Sequence, residues 1–205
     1  MEKFTRITSV AAPLMQANID TDTIIPMSRY VTAEIDTLHQ FAFEPLRFNA
    51  DGSENPNFVL NQRAFCGARI LIVGPNFGCG SSRETAVWAI AGLGIRCIIA
   101  PGFGSIFYAN CFQSGLLPVV LSLVTVEAFA VLAETESERA EFTVNLETCQ
   151  VVPPKGASVS FQVEPFRRVA LLEGLDDIGL TMKHEEEIAD FQRQDRQQRP
   201  WIYLR

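Results

Sequence analysis

The run Gly74-Pro-Asn-Phe-Gly-Cys-Gly-Ser-Ser-Arg-Glu84 gathers the groups in this chain best suited to holding an anion. Glycines at 74, 78 and 80 let backbone approach a ligand closely. The unpaired N–H groups of a helix starting there, with the positive end of its dipole, favour negative charge. Arg83 adds a planar, permanently charged fork matched to a carboxylate or phosphate. The chain carries 17 Lys and Arg against 24 Asp and Glu, a net charge of −7, so this local positive spot is where an anionic ligand would go. Part of the run also reads as helix punctuation. Ser81 as N-cap with Glu84 three residues on fits a capping box. That accounts for the serines and the glutamate but not for the glycines or Arg83.

Several familiar phosphate and nucleophile motifs fail here. Gly78-Cys-Gly80 would begin a dinucleotide fingerprint, but Arg83 stands where its third glycine belongs. A nucleotide phosphate loop needs a Gly-Lys pair, and the chain has none. A nucleophile elbow needs glycine two residues after its serine, whereas Ser82 is followed by Arg83 and Glu84. Cys79 beside a helix start could be an activated thiol, but only His39 and His184 are available as partners.

The elements that must position this loop read as an α/β fold with a largely parallel central sheet, flanking helices and a helical C-terminal tail. Phe4–Leu14 alternates as a strand. It is followed by Asn18-Ile-Asp-Thr-Asp-Thr-Ile-Ile-Pro26, a loop of short polar side chains. Residues 49–57 form a surface loop by composition. Two strand–loop–helix units come next: Ala68–Gly74 with a helix from Ser81 to about Leu93, then Ile95–Ala100 with a helix over Ser105–Gln113. Leu116–Leu121 supplies a further strand. A helix is predicted over Thr125–Glu136 and a strand pair over Phe142–Val152 and Ala157–Val163. We expect one domain over 1–205, with a helical extension from about 165. That tail is acidic over Glu173–Asp190 and basic over Phe191–Arg205, the order that complements a helix dipole on a solvated helix. A partner-binding tail is the other reading.

Composition removes several function classes. An acidic balance argues against non-specific nucleic-acid binding, and no apolar run approaches the roughly 20 residues of a membrane span. The first residues lack the apolar core of an export signal, so a cytoplasmic location and no membrane partner are expected. Five scattered cysteines (66, 79, 97, 111, 149) and two histidines offer neither a disulfide framework nor a self-contained metal or iron–sulfur site.

Three segments together resemble a known family: Asn18–Pro26, Gly74–Glu84, and Leu171-Leu-Glu-Gly-Leu-Asp-Asp-Ile-Gly-Leu-Thr181. They are similar to the bacterial 3-isopropylmalate dehydratase small subunits, which correspond to the swivelling β/β/α domain of aconitase. The resemblance runs over essentially the whole chain. It departs at Thr85, where the family usually has histidine after Ser-Ser-Arg-Glu. A side chain two positions past Arg83 is expected to point away from the side Arg83 faces.

The resemblance implies a hydro-lyase of leucine biosynthesis. Such an enzyme isomerises 2-isopropylmalate and 3-isopropylmalate by dehydration and rehydration. A 4Fe-4S cluster is implied on a large partner subunit, with no cofactor or metal on this chain. It assigns proton abstraction to Ser81, and a substrate carboxylate to Ser82 and Arg83 over the Gly78-Cys79-Gly80 backbone. Asp22 matches a family acid near the arginine, though its residue type also suits an Asx turn. Met27, Tyr30 and Val31 are implied to lie beside the substrate's variable group, where Arg29 could instead meet a third carboxylate. Three other readings stay open: a paralogous dehydratase for a related hydroxy dicarboxylate, a stand-alone anion- or phosphate-binding α/β protein, and a non-enzymatic interaction subunit whose loop is structural.

Overall fold

The computed structural model describes residues 1–135 and 140–203. In chain order the elements are β1 (Arg6–Leu14), α1 (Thr21–Ile24), α2 (Met27–Tyr30), α3 (Glu44–Arg47), β2 (Ile70–Val73), α4 (Glu84–Gly92), β3 (Cys97–Ala100), α5 (Ser105–Gln113), β4 (Leu117–Val120), α6 (Leu123–Thr135), β5 (Glu141–Asn145), β6 (Gln150–Val152), β7 (Val159–Ser160), α7 (Pro165–Glu173), α8 (Asp177–Met182) and α9 (Glu185–Gln198). Short 3-10 turns fill the stretch between α2 and β2.

One sheet runs in the order β4-β3-β2-β1-β5-β6-β7. Its β4-β3-β2-β1 half is parallel, as the strand–loop–helix pattern predicts. The β5-β6-β7 half is antiparallel and joins the other side of β1, with Ile7 opposite Val144. β1 is long enough to serve both: its first half pairs with β5 and its last four residues with β2, in register from Ala11↔Ile70 to Leu14↔Val73.

The buried strands alternate strictly between two cores, the period-two pattern of a sheet covered on both faces. Ala12, Leu71, Val73, Ile98 and Ala100 face the core built with α4, α5 and the 35–65 region. Ala11, Ile70, Ile72, Cys97 and Ile99 face the core shared with α6, β5 and Leu171 of α7. The sheet is therefore held from both sides, and the loops at its strand ends have a rigid base.

Several sequence boundaries shift, and the strand expected over Ala157–Val163 is reduced to β7. The strand expected over Phe142–Val152 breaks into β5 and β6, because Asn145 Oδ1 accepts from the N–H groups of Glu147 and Thr148 and turns the chain. The predicted helix at Thr125–Glu136 forms as α6, starting two residues earlier; Glu136 lies outside the described residues, as does Arg205 of the basic tail. The tail is helical, and α9 opens on Glu185, Glu186 and Glu187 with Arg196 in its last turn. Among the described residues no helix is long and apolar enough to cross a membrane.

Candidate functional site

The adjacent parallel strands β1 and β2 end side by side, so their following loops meet beyond the carboxyl edge of the sheet, the usual ligand crevice of such sheets. Backbone bonds stitch the loops together: Asn18 N to Pro75 O at 2.9 Å, Gly78 N to Ile19 O at 2.7 Å, and Thr21 N to Cys79 O at 3.0 Å. Asn18 and Asn76 both adopt left-handed backbone, at φ 58° and 60°. Asparagine tolerates that region, and Asn76 Nδ2 donates to Asn18 Oδ1 at 2.8 Å. Gly78 has φ 70°, and a Cβ there would lie 2.3 Å from the Phe107 ring. No other residue fits. The sequence segments 18–26 and 74–84 thus form one structure.

Arg83 sits at the head of α4 and projects over the Tyr30 ring, 5.1 Å from its centroid. Its Nη2 donates to Asp22 Oδ2 at 3.1 Å, and Nη1 donates to Asp22 Oδ1. This hydrogen-bonded carboxylate holds the guanidinium pKa above its ordinary value. Asp20 accepts from Thr23 N at 2.7 Å and caps α1. That bond, with a smaller contribution from the Arg83 charge, lowers the Asp20 pKa. The two roles left open for Asp22 therefore divide between two acids. Asp20 makes the turn, and Asp22 pairs with the arginine.

The capping box does not form, and α4 begins at Glu84 rather than Ser81. Arg83 occupies the N-cap with no side-chain cap bond. Gly80 at φ 91° and the bond from Arg83 N to Ser81 O at 3.0 Å close a tight turn that delays the helix. Ser81 and Ser82 are left exposed, with no hydrogen bond from either hydroxyl to the described residues. The first-turn N–H groups of α4 are likewise free of any side-chain cap.

A cleft of about 440 Å³ opens beside Arg83. Tyr30, Trp88 and Ile106 supply its apolar walls, and Ser82, Glu84, Thr85 and Asn110 contribute polar groups. Thr85 shares this cleft with Arg83, correcting the expectation that it points away; a helix that starts at residue 84 carries Thr85 in its first turn, beside its N-cap Arg83. The Thr85 hydroxyl is buried without a partner. Trp88, Ile106 and Asn110 were not singled out from the sequence, since they lie outside the motif run and gain meaning only when α5 packs beside α4.

The remaining candidates are placed differently. Met27 and Val31 are 57% and 67% exposed, close to Tyr30 along the chain but outside the cleft. Arg29 is held by Glu44, with Nε donating to Oε2 at 2.8 Å and Nη2 to Oε1 at 2.5 Å, and lies over Phe41. Cys79 contributes backbone to the loop junction. Cys97 and Cys111 are buried, and burial pushes both thiols to higher pKa. Among the described residues no group of three or more His, Cys, Asp or Glu side chains could hold a metal ion, so none fits a cluster.

A mixed seven-stranded sheet with flanking helices and a glycine-rich loop at the head of α4 defines the class. The family model of the aconitase C-terminal domain matches residues 1–123, which include every residue of this site. A second model, for the C-terminal domain of the 3-isopropylmalate dehydratase small subunit, matches residues 177–203, which span α8 and α9. The solved 3-isopropylmalate dehydratase structure from Methanocaldococcus jannaschii shares the fold, with TM-score 0.65 over 90% of this chain and 98% of that one at 23% identity. The 3-isopropylmalate dehydratase small subunit of Rhodospirillum centenum is 50% identical over 98% of both chains. That of Paramagnetospirillum magneticum is 48% identical over 98% of this chain and all of the relative. The chain belongs to the family of 3-isopropylmalate dehydratase small subunits.

Proposed function

We propose that this chain supplies the proton-handling and carboxylate-binding half of a 3-isopropylmalate dehydratase, a hydro-lyase of leucine biosynthesis completed by a large subunit. The observation that carries the reading is an exposed serine pair beside an arginine already fixed in orientation by Asp22 and Tyr30. A fixed fork meets a substrate carboxylate with little reorganisation, which is where preorganised charge does most for a reaction.

Ser81 Oγ takes the proton from the carbon next to the hydroxyl-bearing one and returns it when water adds back in the opposite sense. A serine hydroxyl is a poor base, so its deprotonated form needs dense positive potential. The uncapped first turn of α4 and Arg83 provide part of it. Ser82 and Arg83 hold a carboxylate, with the Gly78-Cys79-Gly80 backbone shaping the approach. Met27 in α2 and Val31 just after it lie exposed and are assigned to the substrate's alkyl group. With Arg29 engaged by Glu44, a third carboxylate is not assigned to it.

A 4Fe-4S cluster on the large subunit would supply the Lewis acidity that loosens the departing hydroxyl. The loop residues of this chain then face it across the interface. A separate chain also lets the loop close over substrate and exclude water.

The experiment is reconstitution. The purified chain is analysed anaerobically for iron and sulfide, then assayed for isopropylmalate dehydration before and after the large subunit is added. Turnover only in the presence of the large subunit is the expected result. Full activity from this chain alone, or a stoichiometric cluster bound to it, contradicts the proposal. Tight phosphate binding by the isolated chain with no turnover in either state would favour the stand-alone anion-binding reading.

A further inference from the structure

The cleft beside Arg83 contains a carboxamide that the reading above leaves unused. Asn110, in α5, is 8% exposed and lines the cleft. Its backbone carbonyl accepts from Ser114 N, while its carboxamide makes no hydrogen bond to the described residues. The amide is not sealed inside the protein either. The fully buried side-chain polar atoms without partners are Thr21 Oγ1, Thr85 Oγ1, Arg96 Nε and Arg167 Nη1, and none belongs to Asn110. The small part of Asn110 that solvent reaches therefore includes its polar end, at the cleft. A nearly buried primary amide without a protein partner is uncommon in folded proteins, because the group loses water and gains nothing.

The surroundings select the kind of ligand that would satisfy it. First-turn residues of two nine-residue helices border the cleft, Glu84 of α4 and Ile106 of α5, and neither helix has a side-chain cap. Two positive dipole ends and the Arg83 guanidinium favour an anion there. The exposed Glu84 carboxylate opposes them but can turn to solvent. An asparagine presents two N–H donors on Nδ2, the complement of a carboxylate oxygen. Tyr30, Trp88 and Ile106 leave the rest of the wall apolar.

We infer that Asn110 is a further substrate-binding residue, donating from Nδ2 to a carboxylate oxygen of the hydroxy dicarboxylate that Arg83 also holds. This inference rests on the functional reading above, and deepens it by placing one substrate carboxylate between α4 and α5.

The test uses the enzyme assembled with its large subunit. Asn110→Leu keeps the shape and removes the donors, while Asn110→Ser leaves a smaller hydroxyl and room for water. KM and kcat are measured for each, with melting temperature and iron content as controls, and Arg83→Lys is assayed in parallel. Losing a hydrogen bond to a charged group is expected to raise KM about tenfold in Asn110→Leu. Asn110→Ser should recover part of that loss, and kcat should stay within about threefold of the parent. A competitive inhibitor with only one carboxylate should lose less affinity than the dicarboxylate. Unchanged KM in a normally folded Asn110→Leu or Asn110→Ser enzyme overturns the inference. So does a fall in kcat alone. If Asn110→Leu fails to assemble, the Asn110→Ser result decides. Arg83→Lys separates the two layers: unchanged KM and kcat there defeat the underlying site, whereas a defect there with silent Asn110 variants defeats only this inference.

Discussion

Arg83 and Asp22, 61 positions apart in sequence, meet through both guanidinium nitrogens, and the pair leaves the arginine side chain 14% exposed and the aspartate 56% exposed. The asymmetry matters. The arginine is gripped from one side by Asp22 and Tyr30, so its remaining hydrogen-bonding edge has a fixed direction, while the acid stays in contact with water. Asp22→Asn should leave stability nearly unchanged, since exposed ion pairs contribute roughly 0–1 kcal/mol. It should lower kcat/KM about tenfold, the equivalent of about 1.4 kcal/mol of transition-state binding. Arg83→Lys should cost at least as much, because an ammonium cannot reproduce two parallel hydrogen bonds. Steady-state kinetics of both variants in the assembled enzyme, beside their melting curves, check this.

Gly78→Ala should damage both folding and activity. Its φ of 70° lies in the region that disfavours side chains, and the added Cβ would sit 2.3 Å from the Phe107 ring. The strain and the clash together should cost about 2 kcal/mol or more. The readout is a fall in denaturation midpoint accompanied by loss of turnover. By contrast, Gly52→Ala at φ 82° meets nothing within 4 Å and should cost only its backbone strain.

Thr85 offers a test of the cleft's floor. Its hydroxyl is buried and unpaired, so Thr85→Val removes a desolvated polar group at nearly constant shape. Stability should stay level or rise by up to about 1 kcal/mol. Thr85→His places a larger ring in the cleft that holds Arg83, so KM should change by more than about threefold. Chemical denaturation for the first variant and kinetics for the second give the answer.

Asp20 provides a pH-dependent signature. Its carboxylate caps α1 through Thr23 N, and its pKa is lowered from the ordinary 3.8. A depressed carboxylate contributes stability above the unfolded-state value and loses it as pH falls through the folded-state value. Asp20→Ala should therefore cost about 1 kcal/mol at neutral pH. The gap between variant and parent should narrow as pH falls below about 3.8. Melting curves of both proteins from pH 7 to pH 3 measure it.

Much of this was legible in the chain itself. The parallel half of the sheet was readable because Ile70–Val73 and Cys97–Ala100 are unbroken apolar runs between loop and helix signals. The antiparallel half was less so, since a single Asn145 turn splits what reads as one strand. The glycine-rich turn between β2 and α4 could be found from glycine, serine and arginine spacing. The head of its helix differs from the sequence expectation, because a capping box and a glycine turn draw on the same residue types, and the φ of Gly80 decides between them. Asp22 could be paired with Arg83 only by resemblance. Asn110 left no trace in the sequence: a single asparagine in a helix declares itself only when the fold buries it without a partner.

The central claim is that Ser81 of this chain moves the substrate proton, and Ser81→Ala in the assembled enzyme measures it most directly. Ser81 is exposed and caps no helix, so the substitution should change stability by no more than about 0.5 kcal/mol. Assembly and iron content should match the parent. With the base removed, kcat should fall by about 100-fold or more while KM moves little. A kcat within about threefold of the parent in a fully assembled Ser81→Ala enzyme contradicts the account.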